Sequence, residues 1–153
     1  MKFLADRTTG KLARKLRALG FDVVYWGGGC VEEAAQAALA ESRMFLTRSR
    51  KRVGKEAGLQ VTVIEADDPR EQIREVLLKL RLKPPADRFF SRCLMCNETL
   101  LPLPKEDVEG RVPDFIYRSY DSFHVCPRCR RVYWPGTHLQ RMRRELVGTM
   151  AQE

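Results

Sequence analysis

Two Cys-x-x-Cys pairs, Cys93-Leu94-Met95-Cys96 and Cys126-Pro127-Arg128-Cys129, set the terms on which this chain can fold. Each turn aims two thiols at one point. Two such turns close a tetrahedral four-cysteine site, with neighbouring sulfurs about 3.7 Å apart when the zinc–sulfur bonds are ~2.3 Å. The intervening loop, residues 97–125, is longer than in the shortest zinc ribbons but within their range. A module of about sixty residues buries little core, so the metal has to supply much of its folding energy. A redox pair of thioredoxin type is the competing reading. It needs a strand-to-helix junction inside a βαβ pattern, which neither pair has. A catalytic zinc needs an open position, and four thiolates leave none.

The stretch before the cysteines has a different grain. Lys2 to Ala5 read as a short strand with Asp6 directly after it, and Thr8 or Thr9 as a helix cap. Leu12, Ala13, Leu16 and Leu19 then recur at helical spacing up to Gly20, with Lys11, Arg14, Lys15 and Arg17 on the other face. FDVVYW (21–26) reads as a buried strand and Val31 to Ala40 as a helix with Val31, Ala34, Ala35, Ala38 and Leu39 inward. Met44 to Thr47 is a third strand, Arg48 to Lys55 a short basic helix, and VTVIEA (61–66) a fourth strand. Asp68, Pro69 and Glu71 predict a capping box for a helix that buries Ile73, Val76, Leu77 and Leu80 and stops at Pro84 and Pro85. Strands alternating with helices predict an α/β domain with a mainly parallel sheet. The expected organisation is thus an α/β domain over 1–83, a linker over 84–90, and a four-cysteine zinc ribbon with a C-terminal basic helix (138–146) over 91–153.

Charge narrows the partners. Lys and Arg number 28 against 20 Asp and Glu, a net charge of +8, which suits an acidic partner, nucleic acid before anionic membrane. The N-terminus has no apolar signal region and no run is long enough to span a bilayer, so a cytoplasmic protein is expected. In a reducing compartment, metal explains five cysteines better than disulfides do. Cys30 is the odd one, with a buried or idle thiol as its default; His124 and His138 read as surface or packing residues. Asp6 stands at the carboxyl end of a strand, where open α/β sheets bind ligands. It can hold a divalent metal there, beside cations suited to a phosphate chain. The competing reading is a surface Asp at a turn with a solvated helix beside it.

KFLADRTTGKLARKLRALGFDVVY, RMFLTRSR, EQIREVL, RCLMCNETL and VCPRCRRVYWPGTH together resemble the Mut-seven C-terminal RNase family, a PIN-like α/β nuclease domain followed by a zinc ribbon. The resemblance spans essentially the whole chain. It implies a metal-dependent ribonuclease acting on single-stranded RNA, in which three or four carboxylates gather around Mg2+ or Mn2+ to activate a water. Asp6 matches the first carboxylate. Where the family shows acidic residues before the second helix, this chain has Cys30 and Val31, with Glu32 and Glu33 just after; where the family has Thr-Arg-Asp, it has Thr47-Arg48-Ser49. Serine is a poor anionic substitute for Mg2+.

The sequence therefore supports a ribonuclease with Asp6, Glu33 and Asp67 as its catalytic acids, or a catalytically degenerate RNA-binding protein on the same fold, or a zinc-stabilised protein-interaction module. Asp68 is as well explained as a helix cap, and Asp22 sits at the wrong edge of the sheet. Lys11, Arg14, Thr47, Arg48, Arg50 and Lys51 are the candidate RNA contacts. Arg128, Arg130 and Arg131 add charge to the ribbon. Tyr133 and Trp134 are either stacking faces or ribbon core.

Overall fold

The fold is given by a computed structural model of the 153-residue chain. It describes residues 1–50, 57–84 and 86–150, with side chains up to 148. The strands β1 (Lys2–Asp6), β2 (Asp22–Trp26), β3 (Met44–Thr47) and β4 (Val61–Val63) form one parallel sheet in the order β2-β1-β3-β4. The chain winds outward from β1 to β2, then crosses to the other side of β1 for β3. The topological switch point therefore lies between β1 and β3, and its carboxyl edge is marked by Asp6 and Thr47.

Alternation along β1 assigns the two faces. Phe3 and Ala5 point toward α1 (Gly10–Ala18) and α3 (Pro69–Lys79), in a core with Leu12, Leu16, Val23, Leu46, Ile73 and Val76. Leu4 and Phe45 point the other way, onto Ala34, Ala35 and Ala38 of α2 (Val31–Ala40). Leu39, expected inward, is 38% exposed, and Ala34, Ala35 and Ala38 form the buried face of the helix instead. β2 is an edge strand and not a fully buried one: Val23 is covered, whereas Tyr25 is 45% exposed.

Helix ends follow one scheme. After α1, Gly20 (φ +87) donates to Arg17 O and Phe21 to Leu16 O, the paired bonds of a Schellman motif. A side chain at Gly20 would strike the backbone of Arg88. The same pair of bonds ends α2 at Ser42 and Arg43, and α3 at Arg81 and Leu82. α3 therefore stops at Lys79, well ahead of the prolines. At its start Asp68 accepts from Arg70 N–H. The Glu-to-N-cap bond expected there from Glu71 is seen instead at α2, where the Glu33 carboxylate accepts from Cys30 N–H.

The second unit is a three-stranded antiparallel sheet: β5 (Leu101–Leu103), β6 (Phe123–Val125) and β7 (Val132–Tyr133), in that order. A short helix, α4 (Asp114–Ser119), fills the long loop and buries Ile116 against Val108, Val112 and Phe123. The C-terminal helix α5 (Thr137–Met150) turns back onto the first domain, where Leu146 joins the core under α3.

The seam between the units is polar and specific. An edge strand leaves backbone groups unpaired. Here Val23 N–H donates to Asn97 Oδ1 at 2.9 Å, and Val23 O accepts from Arg17 Nε at 2.9 Å. Arg17, 5% exposed, also donates through Nη1 to Leu94 O and Met95 O, at 2.9 and 3.0 Å. Asn97 Nδ2 and Arg43 Nη1 both donate to Asp22 Oδ1, each at 2.7 Å. The first cysteine turn thus completes the exposed edge of β2.

Burial pushes the Asp22 carboxyl up, but the bonds from Arg43 and Asn97 outweigh it and hold the group below the ordinary carboxylate value. A depressed carboxyl contributes stability above its unfolded value and loses it as pH falls through the folded one. Acid titration below about pH 4 is therefore expected to loosen this seam, and Asp22→Ala to remove that acid-labile part and cost about 1–3 kcal/mol at neutral pH. Denaturant melts at pH 7 and pH 3 check it: a variant as pH-sensitive as wild type contradicts the assignment.

Candidate nucleic-acid interface and metal centre

The carboxyl edge of the sheet is organised around Asp6, which is 2% exposed. Its Oδ1 accepts from Thr8 N–H at 2.9 Å and from the Thr8 hydroxyl at 2.5 Å; its Oδ2 accepts from the Thr47 hydroxyl at 2.5 Å. The threonines pass the order outward. Thr8 Oγ1 accepts from Arg48 N–H and Thr47 Oγ1 from Ser49 N–H, both at 3.0 Å. Thr9 Oγ1 donates to Asp6 O at 3.1 Å and is 3.3 Å from Leu46 O, so it ties β1 to β3 and does not cap α1. Asp6 itself caps the single 3-10 turn (Arg7–Thr9) that leads into the helix. Sequence reasoning weighed carboxylates and missed this hydroxyl cage. Its only signal was the co-occurrence of Thr8 and Thr9 with Thr47 at adjacent strand ends.

The other acids are held elsewhere. Glu33 caps α2 through Cys30 N–H at 3.3 Å, and a side chain at Gly29 (φ +76) would collide with its carboxylate. Asp67 is ion-paired with Arg48. Among the described residues, the four cysteines are the only group of three or more Cys, His, Asp or Glu close enough to share an ion. A cavity of about 320 Å3 beside Asp6 is lined by Arg7, Trp26, Gly28, Gly29, Cys30 and Val31, with no second carboxylate among the described residues. Mg2+ and Mn2+ prefer several oxygen ligands, including one or two carboxylates. A single buried carboxylate already accepting three hydrogen bonds, beside an arginine, does not fit that requirement.

On the other side of the Thr8 turn lies a larger groove of about 630 Å3. Arg7, Lys11, Arg14 and Arg48 stand along it, and Leu94 and Met95 of the first cysteine turn form its far bank. The Tyr25 ring opens into it, held at its two edges by Gly10 and Gly27, where any side chain would crowd the ring. Of the sequence-derived RNA contacts, Lys11, Arg14 and Arg48 line this groove. Thr47 is fully buried and serves Asp6. Arg50 pairs with Glu65 at 2.9 Å. Lys51, and most of the helix expected over Arg48 to Lys55, fall outside the described residues; residues 48–50 are not helical.

The cysteines converge as their spacing requires. Their four Sγ atoms lie within 4.8 Å of one another, and Cys93 Sγ stands 3.7 Å from Cys129 Sγ, a zinc tetrahedron's edge. The two turns repeat each other. Cys96 N–H and Cys129 N–H point at the sulfurs of Cys93 and Cys126, and each turn closes on a residue with positive φ, Asn97 or Arg130. Tyr133 Oη lies 3.0 Å from Cys93 Sγ and accepts from Leu94 N–H. Burial and the neighbouring thiol raise the Tyr133 pKa, so its hydroxyl keeps its proton and donates to the sulfur. Burial pushes the Cys93 thiol up, but the bond from Tyr133 and those from the turn's backbone bring it down to about 7. The set fits zinc, with Cys93, Cys96, Cys126 and Cys129 as ligands. Four thiolates would fill its coordination, which leaves such an ion a structural role.

A parallel α/β domain with its polar centre at the switch point is thus joined to a four-cysteine module consistent with a zinc ribbon. A family model described as the Mut7-C RNAse domain matches residues 1–146, and the chain belongs to that family. Comparison with curated proteins and with solved structures gives no match. Among the described residues no helix is long and apolar enough to cross a membrane.

Proposed function

We propose that this protein binds single-stranded RNA along the groove between α1 and the first cysteine turn, on a nuclease fold whose acidic centre is replaced by the threonine cage. The observation that carries this reading is the state of Asp6. Its oxygens are taken by Thr8 and Thr47, and among the described residues no second carboxylate lines its cavity. The groove beside it keeps what RNA needs: cations for phosphates and the exposed Tyr25 face for a base. Zinc holds the far bank in place.

A second reading keeps the family's chemistry. Asp6 stands at the switch point and lines a cavity, the position from which a ribonuclease of this class would work. In that reading Asp6, Glu33 and Asp67 are the catalytic acids. It requires Glu33 to leave Cys30 N–H and Asp67 to leave Arg48.

End-labelled single-stranded RNA, incubated with wild type and Asp6→Asn in Mg2+ and in Mn2+, separates the two. The expected result is binding without cleavage by both proteins. Asp6→Asn sets an amide against a threonine hydroxyl and costs about 1–3 kcal/mol of stability. Metal-dependent cleavage that Asp6→Asn abolishes would overturn the binding reading in favour of the enzyme. Absence of RNA binding would point to the protein-interaction module.

A further inference from the structure

A second cavity, of about 360 Å3, lies on the ribbon side of the first cysteine turn, between the ribbon and α5. Its walls carry the rings of Phe90, Tyr133 and Trp134, with Arg92 and Arg143 among them and Asp87 as the one carboxylate among the described residues. Each of these rings is half-buried: part of it packs into a core cluster and part is open. One is fixed by bonds of its own. Tyr133 is held through its hydroxyl at Cys93 Sγ and Leu94 N–H. Phe90 sits at φ 58 and donates its N–H to Ala18 O at 2.8 Å. A bulky residue in that conformation is uncommon, and such residues gather at ligand sites.

Rigid aromatic faces flanked by guanidinium groups are the chemistry that binds an unpaired base and its phosphate. Arg92 is oriented by Nη1 donating to Asn97 O at 2.7 Å, whereas Arg143 is exposed on α5. Leu94 contributes to the walls of both this cavity and the basic groove, so the two lie on either side of the same turn. A strand leaving the groove over Leu94 and Met95 meets the cavity next.

We infer that this cavity is a nucleobase pocket that takes one unpaired nucleotide of the RNA held in the groove, with the base against Tyr133 and Trp134 and its phosphate toward Arg92 and Arg143. The inference rests on the RNA-binding reading above. It makes the zinc module part of the binding surface as well as a structural support.

The test uses the full zinc-loaded chain and a short fluorescent oligouridylate, with affinity read by anisotropy and contacts read by ultraviolet crosslinking and peptide mapping. Arg143→Glu changes an exposed helix position and leaves the fold intact; Trp134→Leu removes a stacking face and is checked for zinc content. The expected result is crosslinks within 89–92 or 133–143, with affinity reduced about ten-fold or more in Trp134→Leu, as for loss of one base stack, and reduced with a shallower salt dependence in Arg143→Glu, as for loss of a phosphate contact. If Trp134→Leu does not fold, Arg143→Glu and the crosslink map decide alone. Binding with crosslinks confined to Tyr25 and the groove, and with both variants like wild type, overturns the pocket and leaves the RNA-binding reading standing. No binding by wild type overturns both.

Discussion

Cys126→Ser is expected to unfold residues 91–136 at neutral pH, and a strong chelator to do the same to wild type. The reason is the size of what remains. Apart from the cysteines, the ribbon's buried hydrophobic residues are Leu100, Val108, Val112, Ile116, Phe123 and Val125. Structural zinc in comparable small modules is worth about 10–16 kcal/mol of apparent binding free energy, more than so small a core can replace. The change is confined at first. The α/β domain has its own two cores, on the two faces of the sheet, and keeps its helix content. The damage then spreads along the seam, because the first turn supplies the partners of Val23 and Arg17 on the β2 edge. One zinc per chain by elemental analysis, and loss of amide protection over the ribbon on chelation, are the expected measurements. A metal-free ribbon that stays folded refutes the site.

The second large effect belongs to Arg17. Its guanidinium is buried, which lowers its pKa from the ordinary arginine value, yet it stays charged and donates to three carbonyls, Val23 O, Leu94 O and Met95 O. Arg17→Ala leaves all three without that donor and removes packing beneath the first turn. The expected cost is about 3–5 kcal/mol, roughly a 10 °C fall in Tm for a chain of this length. Arg17→Lys recovers only part of it, since an ammonium cannot reproduce the planar fork that serves β2 and the turn together. A thermal melt of the two variants checks this. Equal stability of wild type and Arg17→Ala would mean that the seam contributes nothing to the fold.

Arg17 also shows what a sequence can and cannot disclose. In the pattern of α1 it stands among Lys11, Arg14 and Lys15 as one more cation on a polar face. Nothing local marks it as buried; the carbonyls it serves come from β2 and from a turn nearly eighty residues away. By contrast β1, α1, α2 and β3 were legible, because their apolar residues repeat with the period of the element they form and the sheet buries both faces. The parallel sheet and the paired cysteines were legible for the same reason: strong local spacing. The end of α3 was not. Schellman motifs announce themselves through glycine at Gly20, but at Arg81 the same bonds form without one. The role of Asp6 was half legible. Its place at a strand's carboxyl end follows from the pattern, whereas its partners are a hydroxyl in the turn just after it and one on β3, which only the topology brings beside it. α5 carried a readable apolar stripe, but which surface Leu146 would meet depended on the turn of the whole ribbon.

The most direct test of the account is the affinity for a single-stranded RNA measured against salt concentration, for wild type and for Lys11→Ala/Arg14→Ala. Phosphate contacts release counterions, so log K is expected to fall with log salt at a slope of about −0.7 per contact, near −2 for Arg7, Lys11 and Arg14, with Arg48 already paired to Asp67. The double variant loses two of them, and its slope should be shallower by about 1.4. Binding whose slope is near zero, or whose slope the double variant leaves unchanged, would contradict the groove as the RNA site.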